Sequence, residues 1–123
     1  MKPYETLVVG GSEYRLKITT AYAVKLEEDI KTDILSGLEK LAEIKTLAKY
    51  YFAATVSQND SISTIDDVYQ LFDDYITGGG TYDALQRLMI EVLVTSGIMK
   101  KEVYDASKKA MEKQSEALKK LLE

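Results

Sequence analysis

The chain has no cysteine and no histidine. Disulfides are excluded, and so is the thiolate or imidazole ligation on which most zinc and transition-metal sites depend. Nucleophile–base pairs built on Cys or His are excluded with them. There is no apolar stretch near the ~20 residues that a bilayer-crossing helix needs, and the segment after Met1 lacks the apolar centre of a signal peptide. The expectation is a soluble, cytoplasmic protein with no membrane partner. Excess positive charge is lacking too. The formal net charge is −4, which argues against a nucleic-acid partner, because phosphate-backbone binding needs a basic patch. The charge is uneven: residues 1–99 carry a net −6 and residues 100–123 a net +2.

What is present is enough for one folded domain. Hydrophobic residues make up 46% of the 123 positions and charged residues 29%, so a core and a well-solvated surface are both available. The expected fold class is mainly α (α+β): an N-terminal β-hairpin packed on a bundle of about five helices, in a single domain spanning 1–123. The hairpin is placed at about 6–18. Tyr14, Leu16 and Ile18 alternate with charged residues at the period of a half-buried strand. Gly10-Gly11-Ser12 supplies the positive φ of a tight turn. A hairpin is marginal alone, so this one must dock on helices, and its outer edge should then offer unpaired backbone groups to a neighbour.

Helices are expected at about 21–31, 34–56, 64–77, 81–96 and 101–122. Thr19 or Thr20 caps the first. In the second, Leu38, Leu41, Ala48, Tyr51 and Phe52 mark the inner stripe. Ser57–Ser61 reads as a polar loop. The third has the clearest amphipathic pattern, Ile65, Val68, Tyr69, Phe72, Tyr75 and Ile76, after an acidic first turn that suits the helix dipole. Gly78-Gly79-Gly80 ends it as an interhelical joint, since the strand and the Gly-Lys-Ser/Thr ending of a phosphate loop are missing. The fourth is apolar on nearly every side and is expected to be the central helix, with Leu85, Leu88, Met89, Val92 and Leu93 buried. The last has a thin apolar stripe interrupted around Lys113-Gln114, which reads as a frayed end or a partner-binding arm.

No residue set in the sequence has the pattern of a catalytic, cofactor or metal site. Asp66, Asp67, Asp73 and Asp74 repeat every seven residues opposite the apolar stripe, as on a solvated helix face. Nine Tyr are many for this length, and Tyr suits both core edges and binding surfaces. The candidate partner-binding residues are Tyr50, Tyr51, Tyr69, Tyr75, Tyr104, Leu118 and Leu121. The expectation is a non-enzymatic binding protein without cofactors.

The segment LVVGGSEYRLKITTAYAVKLEEDI resembles the start of the tail assembly chaperones of siphophages and of prophages in Gram-positive bacteria. In that family a strand, a Gly-containing turn and a Tyr-x-Leu-x strand precede a helix with an apolar-Glu pair; Tyr14, Leu16 and Leu26-Glu27 occupy those places here. SISTIDDVYQLFDDYI is similar to the family's polar loop and short acidic amphipathic helix. The Lys-rich end departs from the pattern. The resemblance implies a helper of virion assembly in the host bacterial cytoplasm, absent from the mature virion. Its implied partners are the tape-measure protein and the tail-tube protein, and homo-oligomers are allowed. Members are often made in a short and a frameshifted longer form, and Lys119-Lys120 is where a slippery codon run could fall. The alternative from a different class is a small helical adaptor or inhibitor that binds one folded protein target.

Overall fold

The computed structural model describes residues 2–103, 105, 120 and 121. Strands β1 (Glu5–Val9) and β2 (Ser12–Leu16) form an antiparallel hairpin, with Val9 opposite Ser12 and Glu5 opposite Leu16. Gly10 and Gly11 both have positive φ, 56° and 81°, the two-residue turn whose twist matches that of the strands. Helices α1 (Thr20–Ile30), α2 (Ile44–Thr55), α3 (Ile65–Thr77) and α4 (Tyr82–Thr95) follow, with a short 3-10 turn at Ser36–Lys40 before α2. The mainly helical α+β fold expected from the sequence is the one adopted.

One face of the hairpin is inward. Leu7, Val9 and Leu16 are buried, and Ile18 just beyond β2 is buried with them, while Thr6, Val8, Glu13 and Arg15 are exposed. Tyr14 is half-buried. Polar groups from far along the chain take up part of the free side of β2 and the residues just beyond it. The side-chain amide of Asn59 accepts from the Arg15 N–H at 2.9 Å and donates to the Arg15 carbonyl at 2.8 Å. It stands in for a neighbouring strand. The Lys17 N–H donates to the Ala54 carbonyl at 3.0 Å, and the Ile18 N–H to the Ser96 hydroxyl at 3.0 Å. Asn59 lies in the segment read from sequence as a plain polar loop.

The expected helix over 34–56 is broken. Ile34–Glu43 forms turns and the 3-10 segment, and α2 starts only at Ile44 after Glu43 in extended backbone, φ −71° and ψ 126°. Asp33 accepts from the Ser36 N–H at 3.1 Å, a local side-chain bond that competes with helix, and Gly37 weakens helix further. Ile34 and Leu41 are buried even so.

The central helix is α2, not α4 as the apolar composition suggests. It packs against α1, α3, α4 and β2. Eight of its 12 residues are buried, against five of 14 in α4. The sequence disguises this because the buried face of α2 is Thr46, Leu47, Ala48, Tyr50, Tyr51, Ala53, Ala54 and Thr55. Small residues let neighbours approach closely, and the polar atoms are satisfied internally: the Thr55 hydroxyl donates to the Tyr51 carbonyl at 2.7 Å. In α4, Leu85, Met89, Val92 and Leu93 are buried as expected, but Leu88 is only half-buried. Tyr51, Phe72 and Tyr82 join α2, α3 and α4 by edge-to-face contacts at 5.2 and 6.0 Å, the geometry that the ring quadrupole favours.

Helix ends follow local rules. Thr64 and Asp67 form a capping box at α3, and the Thr81 hydroxyl accepts from the Ala84 N–H at the start of α4. Thr19 occupies the cap position of α1 without a side-chain cap bond. Gly79, with φ 100°, takes the chain out of α3, and Gly80 lies under the Tyr75 ring with no room for a Cβ. The expected fifth helix, 101–122, lies largely outside the described residues; 101–103, 105, 120 and 121 are helical.

Candidate partner-binding groove

The seven residues singled out for partner binding separate into three groups. Tyr50 and Tyr51 are fully buried. Each hydroxyl donates to a backbone carbonyl at 2.6 Å, Tyr50 to Ile34 and Tyr51 to Leu85. Burial pushes the Tyr50 phenol up to about 12, helped by the negative charges of Asp33 and Glu27. Burial likewise holds Tyr51 well above the usual range. These two are core braces and cannot meet a partner without opening the fold. Tyr69 and Tyr75 are on α3, Tyr69 exposed and Tyr75 half-buried against Gly80. Leu121 is exposed, and Tyr104 and Leu118 lie outside the described residues.

The structure instead brings together a site between α1 and α2. Tyr22, Lys25, Leu26, Glu28 and Asp29 of α1 face Lys49, Phe52 and Ala53 of α2 across a groove of about 420 Å³. Tyr22 and Leu26 are four apart, and Lys49, Phe52 and Ala53 lie three and four apart, so each set shares one helix face. The floor is apolar: Leu26 and Ala53 are buried, Tyr22 and Phe52 half-buried. The rim is charged with both signs. The Lys25 ammonium stands over the Tyr22 ring at 4.7 Å, and Lys49 pairs with Asp29 at 3.8 Å. That ion pair is partly solvated and contributes little to stability. It forms the ridge between this groove and a second, more polar depression of about 540 Å³ bordered by the 3-10 segment. Leu26 and Phe52 carried a sequence signal as apolar stripe positions; Tyr22 did not, because its role depends on which helix α1 meets.

Among the described residues there is no group of three or more acidic residues placed to hold a metal ion. Asp66, Asp73 and Asp74 are exposed. Asp67 is engaged in the capping box, where the Ser63 and Thr64 N–H groups hold its carboxylate below the usual range. No helix among the described residues is long and apolar enough to cross a membrane. No family model, no curated protein and no solved structure matches the chain.

Proposed function

We propose that this chain is a non-catalytic assembly helper of the tail-assembly-chaperone kind, acting in the host cytoplasm and absent from the finished particle. Its α1–α2 groove takes an amphipathic helical segment of a tape-measure protein, and the complex recruits tail-tube subunits. The observation that carries the reading is the open groove with a floor of Tyr22, Leu26, Phe52 and Ala53. An apolar floor with a charged rim is what a helix laid on its apolar face requires. The floor supplies buried area, and the Lys25, Glu28, Asp29 and Lys49 rim favours one orientation over another. A tape measure is a long helical chain with exposed apolar stripes, and covering them keeps it soluble.

The test is co-expression with the tape-measure protein encoded nearby. Its soluble yield should rise and the two should co-purify at moderate salt, since the contact is mainly apolar. Phe52→Ser should abolish co-purification while Tyr69→Ser, on the α3 surface, should retain it. Loss with Tyr69→Ser and retention with Phe52→Ser would assign the wrong surface. A genomic neighbourhood without tail genes would replace the chaperone by an adaptor or inhibitor of one folded protein.

A further inference from the structure

We infer that β1 is a self-pairing edge, through which two copies of this chain join their hairpins into one four-stranded antiparallel sheet. The inference stands apart from the chaperone reading and begins with an asymmetry of the hairpin. The Arg15 N–H and C=O are taken by Asn59, so Arg15 directs its backbone groups away from β1. In an antiparallel ladder bonded and non-bonded pairs alternate. Arg15 opposite Thr6, and Glu13 opposite Val8, are therefore the non-bonded pairs. Thr6 and Val8 in turn direct their N–H and C=O away from β2. On the β2 side Asn59 and Ala54 take up outward groups of Arg15 and Lys17; among the described residues nothing takes up those of Glu13, or those of Thr6 and Val8 along the whole β1 side.

Open edges are commonly blocked by Lys, Pro or a bulge. β1 has none of these. Its outward-facing side chains are Thr6 and Val8, both exposed, Val8 by 63%. Its one charge, Glu5, is held by Lys2 at 3.4 Å and by the Thr95 hydroxyl at 2.8 Å.

The occupant that matches this edge is the edge itself. Pairing two β1 strands antiparallel about Leu7 sets Thr6 of each opposite Val8 of the other. All four outward N–H groups and all four carbonyls then meet partners. Each row across the outer face reads Arg15, Thr6, then Val8 and Glu13 of the second copy, with β-branched residues in the middle and opposite charges at the ends. No like charges face each other, a condition for stable cross-strand pairs. On the inner face Leu7 meets Leu7 of the second copy, so the apolar layer continues across the joint. The contact is isologous and closes at two copies.

Sedimentation of the full chain over about a hundredfold range of concentration should show a monomer–dimer equilibrium. Amide exchange of Thr6 and Val8 should slow as the dimer forms, while that of Glu13 stays unchanged. Val8→Pro removes an outward N–H without touching the β1–β2 ladder, and Val8→Lys places a charge on the edge. Each should weaken self-association by about tenfold or more with thermal unfolding of the monomer unchanged. A monomer at every concentration would overturn the inference. So would a dimer in which Thr6 and Val8 exchange as fast as in the monomer, or one that withstands Val8→Lys. Protection of Thr6 and Val8 that arises only on adding a tape-measure segment would overturn it too, by identifying a donated partner strand.

Discussion

Tyr50 and Tyr51 are adjacent, fully buried and bonded to backbone carbonyls at the same 2.6 Å distance, yet their hydroxyls should differ in worth. Replacement by Phe keeps the ring and removes one oxygen, so the cost depends on the acceptor left behind. Leu85 is in α4, and its carbonyl keeps the helical N–H four residues on. Ile34 is in a turn where the neighbouring bonds go elsewhere, Gly37 N–H to the Asp33 carbonyl and Leu38 N–H to the Leu35 carbonyl. Tyr51→Phe should therefore cost about 1 kcal/mol, the net worth of one bond. Tyr50→Phe should cost about 2–3 kcal/mol, because a buried acceptor is stranded. Gly37 supplies a second arm. A Cβ there would meet the Tyr50 hydroxyl and the end of Ile30, so Gly37→Ala should displace that hydroxyl at a cost of about 1–3 kcal/mol. In the Tyr50→Phe background the obstructing oxygen is gone, and the further cost should fall below about 1 kcal/mol, a measurable coupling. Urea unfolding followed by far-UV circular dichroism gives all four values. Equal costs for the two Phe variants, or strict additivity of Gly37→Ala with Tyr50→Phe, would refute the reasoning.

Four further outcomes are expected. Leu85→Ala should cost about 2–5 kcal/mol and half-buried Leu88→Ala distinctly less; the reverse order in urea titrations would put the wrong face of α4 inward. Asp33 and Asp67 both have carboxyls below the usual range, through bonds from Ser36 and from Ser63 and Thr64 respectively, so their contribution is present above the ordinary value of 3.8 and is lost as pH falls below it. Tyr50 has the opposite sign: its phenol is raised to about 12 from 10.0, so stability present below pH 10 is lost as pH rises through about 12, and absorbance should show a late-ionising phenol that Tyr50→Phe removes. Lys31 ends α1 with φ 61°, a conformation that costs a side chain, so Lys31→Gly should raise stability by about 1 kcal/mol in thermal melts.

The elements that were legible in the sequence are those whose residues announce themselves locally. Gly10-Gly11 between alternating strands marked the hairpin, and the acidic first turn with Asp66-Asp67 marked the start of α3. The α2 face was half legible: Ala48 and Tyr51 fell on the expected inner stripe and are buried. Tyr50 and Thr55 become core residues only once a carbonyl lies within reach of each hydroxyl, and Ala53 and Ala54 only once neighbours close on them. The same holds for Asn59, whose amide reads as loop polarity until the strand it completes lies beside it. The groove was half legible. Leu26 and Phe52 fell on apolar stripes, but nothing local says that α1 and α2 face each other, or that the Ser36–Lys40 turn interrupts the longer helix.

The same bonds that hide Asn59 also divide the molecule into a tightly tied part and a lightly tied one. The hairpin is anchored to the end of α2 through Lys17 and Asn59, and to the end of α4 through Ile18–Ser96 and Glu5–Thr95. It cannot shift without breaking these bonds, of which those to Ser96 and Thr95 are part-buried. α1 has one fully buried residue, Leu26, and its main neighbour is α2. Its other ties include the Glu27 carboxylate accepting from the Ile34 N–H at 3.1 Å, the partly solvated Lys49–Asp29 pair, and half-buried Tyr22, Ala23 and Ile30 packed against the core. Local stability follows buried contacts; α1 buries the fewest residues of the four helices, and it forms one wall of the groove. A groove with one rigid wall, braced by Tyr50 and Tyr51, and one adjustable wall can fit apolar stripes of varied residue size.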